Sequence, residues 1–428
     1  MFLSLFKKEC TQVFKSLIYW LFITCLALFF FTQMGKISFA SKPVKGQEGG
    51  YGWKQSTEKS DIMEGTLGML ARDYDQDSFT TAPVGFTKHI TLDASEKEKI
   101  ARILETCTGL SISEIQDRYQ EYVKENTVKL ANGASMMAAD NFKLPAKKGM
   151  SYKEFEKEMG KVSRILGPGS SYTKDRIKDN GMVEKTYEDA LAEYEDLMEK
   201  DGFTGGYARM FCDYMGIILG ILPVFVTATR VLRDKRSGIR ELIFVRKASS
   251  FSIVCSRYLA LCVTMFLPVL ILSFYPLAEC IGYAAGKDLA LDYTAFFQYS
   301  FGWLLPSILI VTALSMLITE WTETAAAVLV QIVWWFFSIF SGQNAMRGGA
   351  YGFNLIPRHN TELNYTGFQA DFSTLVWNRL FYTLLAVVLI VATVLIYEAK
   401  RKGRFGNGKI SCNRKRNHTV SFDLAGTH

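Results

Sequence analysis

Between Arg230 and Arg257 the chain reads RVLRDKRSGIRELIFVRKASSFSIVCSR, a basic segment wedged between two long apolar runs. Arg230, Arg233, Lys235, Arg236, Arg240, Arg246 and Lys247 stand there against only Asp234 and Glu241. A bilayer accepts apolar runs of this length, and charge beside them collects at the cytosolic face. The pattern therefore predicts an all-α polytopic membrane protein with residues 230–257 as a cytosolic elbow.

The rest of the chain divides into two unlike parts. The 428 residues total +7, and residues 41–205 hold 24 Lys/Arg against 29 Asp/Glu, a net of −5, which leaves +12 elsewhere. That surplus flanks apolar runs rather than lining a polar surface, so a nucleic-acid partner is not expected. Of the eight cysteines only Cys107 lies in the polar part, and no CxxC or His/Cys spacing occurs. An internal disulfide there is excluded, and no metal is expected.

In chain order, residues 1–16 put Phe2, Leu3, Phe6, Val13 and Phe14 at helical spacing, opposite Lys7, Lys8, Gln12 and Lys15. This suits a helix in the membrane interface, or a charged lead-in to the first span. Residues 17–40 form span one. The uncharged run from Leu17 to Met34 is longer than a signal-peptide core, so an uncleaved anchor is expected. Residues 41–205 read as a mainly helical domain. Helical patterns follow Ser95, whose spacing to Glu98 fits a capping box, and run over 111–130, 152–166 and 184–198.

Five more spans follow, at 206–229, 258–283, 296–319, 324–346 and 374–399. Pro223 is expected to kink the second, and Arg209 and Asp213 lie one turn apart near its outer end. Segment 347–373 is a loop with room for re-entrant turns, and 400–428 is a basic tail. Six spans bring both termini to one side. The Lys/Arg of the N-terminus, elbow and tail make that side the cytosol, which leaves 41–205 extracytosolic.

Few motifs carry chemistry. Gly403–Lys409 (GRFGNGK) fits seven positions of a P-loop, but Ile410 stands where Ser or Thr is needed and no strand precedes it. No nucleotide site and no enzymatic activity are expected of this chain. Glu279, Glu320 and Glu323 near span ends are read as solvated at the interface rather than as an ion pathway. The sequon Asn364-Tyr365-Thr366 is uninformative alone.

Arg233 to Phe244, with Ser249 to Arg257 downstream, resembles the first cytosolic loop of type-2 ATP-binding-cassette (ABC) exporter permeases. Gly238, Glu241, the run Leu242-Ile243-Phe244 and Arg257 match. Lys247 stands where many members have proline, and Arg240 where an apolar residue is usual. The layout is similar to a subset with a large external insertion after span one. The resemblance implies that Arg233, Asp234, Arg236, Gly238, Arg240, Glu241, Leu242, Ile243 and Phe244 form a coupling element docked on a separate ATPase subunit. ATP and Mg would be bound by that partner and no cofactor by this chain. A second copy or a paralogue would complete a pathway through the cytoplasmic membrane.

Physically, Leu242, Ile243 and Phe244 could seat in a groove while Arg233, Arg236 and Arg240 meet acidic groups of the partner. The same charges would set topology with no partner at all. The rival expectation is a non-transporting anchor that presents 41–205 as a receptor, secretion or assembly factor. An ion-driven carrier ranks last, since no internal repeat or matched pair of broken helices stands out.

Overall fold

The computed structural model describes residues 1–47, 50–82, 87–129, 135–137, 141–287, 289–341 and 351–403. The tail beyond Gly403, with nearly all of the P-loop-like stretch, lies outside the described residues, as do Gly348 and Gly349. The chain forms two compact units, Phe39–Lys200 and the remainder. The polar unit is thus cut at 39–200, where 41–205 was expected, because Asp201 pairs with Arg209 on the first helix that follows.

Helix α1 (Phe2–Phe14) and helix α2 (Leu17–Met34) are separated by a break at Lys15–Ser16. Helix α1 packs along a later apolar helix and buries Val13, so it is part of the helical bundle rather than a free lead-in.

The polar unit holds α3 (Lys59–Asp75), α4 (Ala94–Thr108), α5 (Ile112–Asn126), α6 (Tyr152–Leu166) and α7 (Tyr187–Glu195), with three two-stranded antiparallel pairs. Capping boxes start α4, α5, α6 and α7 at Asp93, Ser111, Ser151 and Thr186. The first corrects the Ser95–Glu98 expectation: Asp93 and Glu96 make the reciprocal bonds instead. The core gathers Leu67, Leu70, Phe79, Ile100, Leu104, Phe155 and Met159, all but inaccessible. Each such side chain contributes about 1.5–3 kcal/mol of burial. Helix α3 carries Gly68 because a Cβ there would lie 1.8 Å from the Phe142 carbonyl oxygen.

The second unit continues with α8 (Thr204–Leu219) and α9 (Pro223–Arg236), a pair bent by 42°. The break is satisfied from outside. Gln331 donates to the Gly220 carbonyl at 2.6 Å and Trp335 to that of Ile217 at 2.8 Å. Arg209 and Asp213 do not pair with each other. Arg209 binds Asp201, while Asp213 accepts from the Arg358 guanidinium at 2.8 Å and the His359 amide at 2.6 Å.

Next come the short α10 (Arg240–Phe244), the 35-residue α11 (Ser250–Ala284), α12 (Ala295–Tyr299), α13 (Leu305–Thr322), α14 (Ala326–Ser341) and α15 (Tyr365–Arg401). Helix α11 stays continuous through Pro268 and Pro276. Helix α15 starts at Tyr365, earlier than the 374 expected, because Asn364 caps it by accepting from the Gly367 amide. The sequon asparagine is thus a helix cap.

Among the described residues four helices are long and apolar enough to cross a membrane, or five if the bent pair counts as one, and Ala326–Phe340 is a shorter apolar helix. The protein is therefore a mostly helical, multi-pass membrane protein. Helix α13 packs on α9, α11, α14 and α15. The apolar window of Ala295–Thr322 is 61% buried against 28% in α2 and α15. That contrast makes α13 the centre of the bundle and leaves outward faces on the other two.

Candidate functional site

The elbow is a five-residue helix held on the ends of several spans. Gly238 turns the chain at φ +67°, a conformation that costs a residue with a Cβ, and lets α10 start directly after α9. At the far end, Arg401 from the last turn of α15 forks onto three carbonyls. It donates to Phe244 at 2.8 Å, Ala248 at 2.7 Å and Arg246 at 2.6 Å. Those oxygens belong to the end of α10 and the turn after it, which a planar guanidinium suits. The turn at Lys247, a position where many proteins it resembles have proline, is held by this fork. Ser249 then caps α11 through the Ser252 amide, and Ser250 bonds Glu398 of α15.

Two ion-pair clusters fix the elbow from beneath. In the first, Arg230 contacts Glu9 at 2.6 Å and Asp234 at 3.0 Å, and Arg257 contacts Asp234 at 2.5 Å and Glu9 at 3.4 Å. Arg230, Asp234 and Arg257 are nearly inaccessible and Glu9 is half-buried, and together they tie α1, α9 and α11. In the second, Arg240 pairs with Glu320 and lies 2.9 Å from Glu323. Glu323 also takes Lys235 at 2.7 Å and Lys400 at 2.8 Å. This cluster joins α9, α10, the end of α13 and the end of α15.

The sequence-predicted residues therefore split. Arg233, Arg236, Gly238, Glu241 and Leu242 are exposed. Asp234 and Arg240 are not offered to a partner, because each is engaged within the chain. Ile243 and Phe244 are half-buried, with Phe244 set edge-on to Tyr397 and 5.4 Å from the Arg240 guanidinium. The apolar groups that face outward most are Leu242, 65% exposed, and Val245, 81% exposed, with Ile239 less so at 40%. Val245 was missed in the sequence, although its place one turn after Leu242 was visible. Glu320 and Glu323, read as merely solvated, are instead the hub of the second cluster, with cations supplied by distant elements. Arg233, Arg236, Arg246 and Lys247 make no ion pair among the described residues.

Glu323 gives this anchoring a pH dependence. Partial burial works against its charge, but hydrogen bonds from Lys235 and Lys400, with the charges of Lys400 and Arg240, hold the carboxyl at about 2. Its ordinary value is 4.5, so the bound form is depressed. The contribution is complete above pH 4.5 and is lost as pH falls toward 2. Solvent access keeps the effect modest. Thermal unfolding at pH 5 and pH 3 tests this: Glu323→Gln is expected to unfold earlier at pH 5 and to lose less on acidification. Equal losses in both proteins would remove Glu323 from the account.

A bundle of apolar helices bearing a basic elbow braced by ion pairs defines a multi-pass membrane protein. The sequence profile of ABC-2 family transporter proteins matches residues 115–343, more than half of the chain. The chain belongs to that family, as a type-2 ABC permease. No curated protein and no solved structure matches it.

Proposed function

We propose that the chain is the membrane subunit of an ABC exporter, driven by ATP hydrolysis on a separate cytosolic ATPase that docks on α10. The reading includes six spans, the fifth of them the short α14. It also places both termini in the cytosol, the polar unit outside, and the protein in the cell membrane. The chain itself binds no nucleotide and is not an enzyme. A second copy or a paralogue completes the pathway, meeting outward apolar faces such as that of α15, where Trp377 and Leu395 are among the exposed side chains.

One observation carries the proposal. Leu242, on a helix too short to be stable alone, and Val245 at its end form an exposed apolar pair, and that helix is clamped to the ends of α13 and α15. A loop that only set topology through charge would need neither the apolar pair nor the clamp. Arg233, Arg236, Arg246 and Lys247 surround that face and favour an acidic rim on the partner. A force on α10 would pass directly to α13 and α15, and through Glu323 and Lys235 to α9, which the first cluster ties to α1 and α11.

Leu242→Asp with Val245→Asp is expected to weaken co-purification with the ATPase by about tenfold or more, as loss of a central apolar contact does. Arg236→Glu is expected to weaken it less, with a stronger salt dependence. Stimulated ATP hydrolysis that is indifferent to the double change would sink the coupling reading.

A further inference from the structure

The polar unit carries a short motif twice, KIARIL at 99–104 and KVSRIL at 161–166. The first lies on α4 and the second on α6, and the two helices pack together. In both copies the second and sixth positions, Ile100 and Leu104, Val162 and Leu166, are buried in the core of the polar unit. Lys99, Arg102, Ile103, Lys161, Arg164 and Ile165 line one open groove of about 520 Å³, Ile103 showing only the edge of a side chain that also belongs to the core and Ile165 being half-buried. Four cations from two helices thus stand over a floor of two isoleucines. Arg102 and Lys161 are each met by a carboxylate of their own helix, Glu98 at 2.5 Å and Glu158 at 2.6 Å. Lys99 and Arg164 make no ion pair among the described residues, and Arg164 only donates its Nε to the Gly160 carbonyl at 3.1 Å. The groove therefore keeps two uncompensated positive charges beside apolar surface.

We propose that this groove binds an anionic amphiphile, with a carboxylate or phosphate head group held by Lys99 and Arg164 and an apolar tail on Ile103 and Ile165. The volume lies in the range of small-molecule sites. Arginine presents a fork to an oxyanion and lysine a point charge, so both head groups are accommodated. A purely ionic ligand would gain nothing from the isoleucine floor, and a neutral lipid nothing from the cations. The site lies wholly within the polar unit and does not depend on the export reading.

The test uses the full-length protein in phosphatidylcholine nanodiscs, with a photoreactive diazirine analogue of dodecanoate as probe and labelled peptides mapped by mass spectrometry. Labelling is expected on α4 and α6. Dodecanoate and dodecyl phosphate should displace the probe at concentrations where dodecanol and inorganic phosphate do not. Lys99→Glu with Arg164→Glu is expected to cut labelling about tenfold, and Ile165→Ser to reduce it, with Cys107 in the core still protected from alkylation. Displacement by dodecanol as effective as by dodecanoate, or by inorganic phosphate alone, or by polyglutamate would overturn the proposal. So would labelling that survives charge reversal. The displacement series needs only the native protein and decides the matter even where a variant fails to fold.

Discussion

Replacing Asp234 with alanine is expected to destabilise the membrane unit by about 3–5 kcal/mol, the usual cost of removing one partner from a buried ion pair. Asp234 receives both Arg230 and Arg257, and its side chain is only 8% exposed. After its removal two guanidinium groups share Glu9, which already lies 3.4 Å from Arg257. The loss is thus one of uncompensated charge more than of attraction. It follows that Asp234→Leu combined with Arg257→Met should recover most of the stability. That double change leaves the Arg230–Glu9 pair at 2.6 Å in place. Unfolding of the purified protein in one detergent, by heat or denaturant, separates these cases. An Asp234→Ala protein within about 1 kcal/mol of the native one would show that the tetrad is no more than a surface pair.

The tetrad also marks the limit of what the sequence discloses. Arg230 and Asp234 stand four apart on one helix, a pairing visible in the sequence. Glu9 and Arg257 come from other helices, and nothing local says that they meet the same two groups. The same holds for Arg240, whose partners sit at the end of α13. The elbow, its glycine and its glutamate are legible in the sequence, because charge density and spacing are local properties. The direction of Arg240, toward α13 rather than outward, is not, because packing sets it. Helix α6 was legible to the residue, since Ser151 and Gly167 bracket it with a cap and a breaker. Helix α3 was not, because Gly65 and Gly68 look like breakers until the approach of Asn180 and Phe142 explains them. The start of α15 was hidden for a related reason: Gln369 and Asp371 interrupt the apolar pattern in its first turns.

The other large expected effect is local. Arg379 of α15 is buried and, among the described residues, faces no carboxylate. It donates instead to the carbonyls of Trp303 at 3.1 Å, Asn354 at 3.2 Å and Leu355 at 3.2 Å, and to the Ser307 hydroxyl at 2.9 Å. Its neighbour Asn378 takes the carbonyls of Gly352 at 2.6 Å and Asn354 at 2.9 Å, and Tyr382 takes that of Phe353 at 2.6 Å. The segment 351–355 has no regular ladder of its own, so these side chains supply the partners its carbonyls would otherwise lack. Only a guanidinium carries five donors in a fork wide enough to reach α13 and this segment together. Arg379→Met keeps the packing of the stem and removes every donor. Leu355 then loses its side-chain partner, which costs about 1–3 kcal/mol, while removal of a buried cation returns part of that to the global balance. Hydrogen exchange over 351–357 is therefore expected to speed up by about tenfold or more, with a smaller change in the melting temperature. Arg379→Lys should not rescue it, because three donors on one nitrogen cannot span the same acceptors. Unchanged protection of 351–357 in either variant would mean that Asn378 and Tyr382 hold the segment without Arg379.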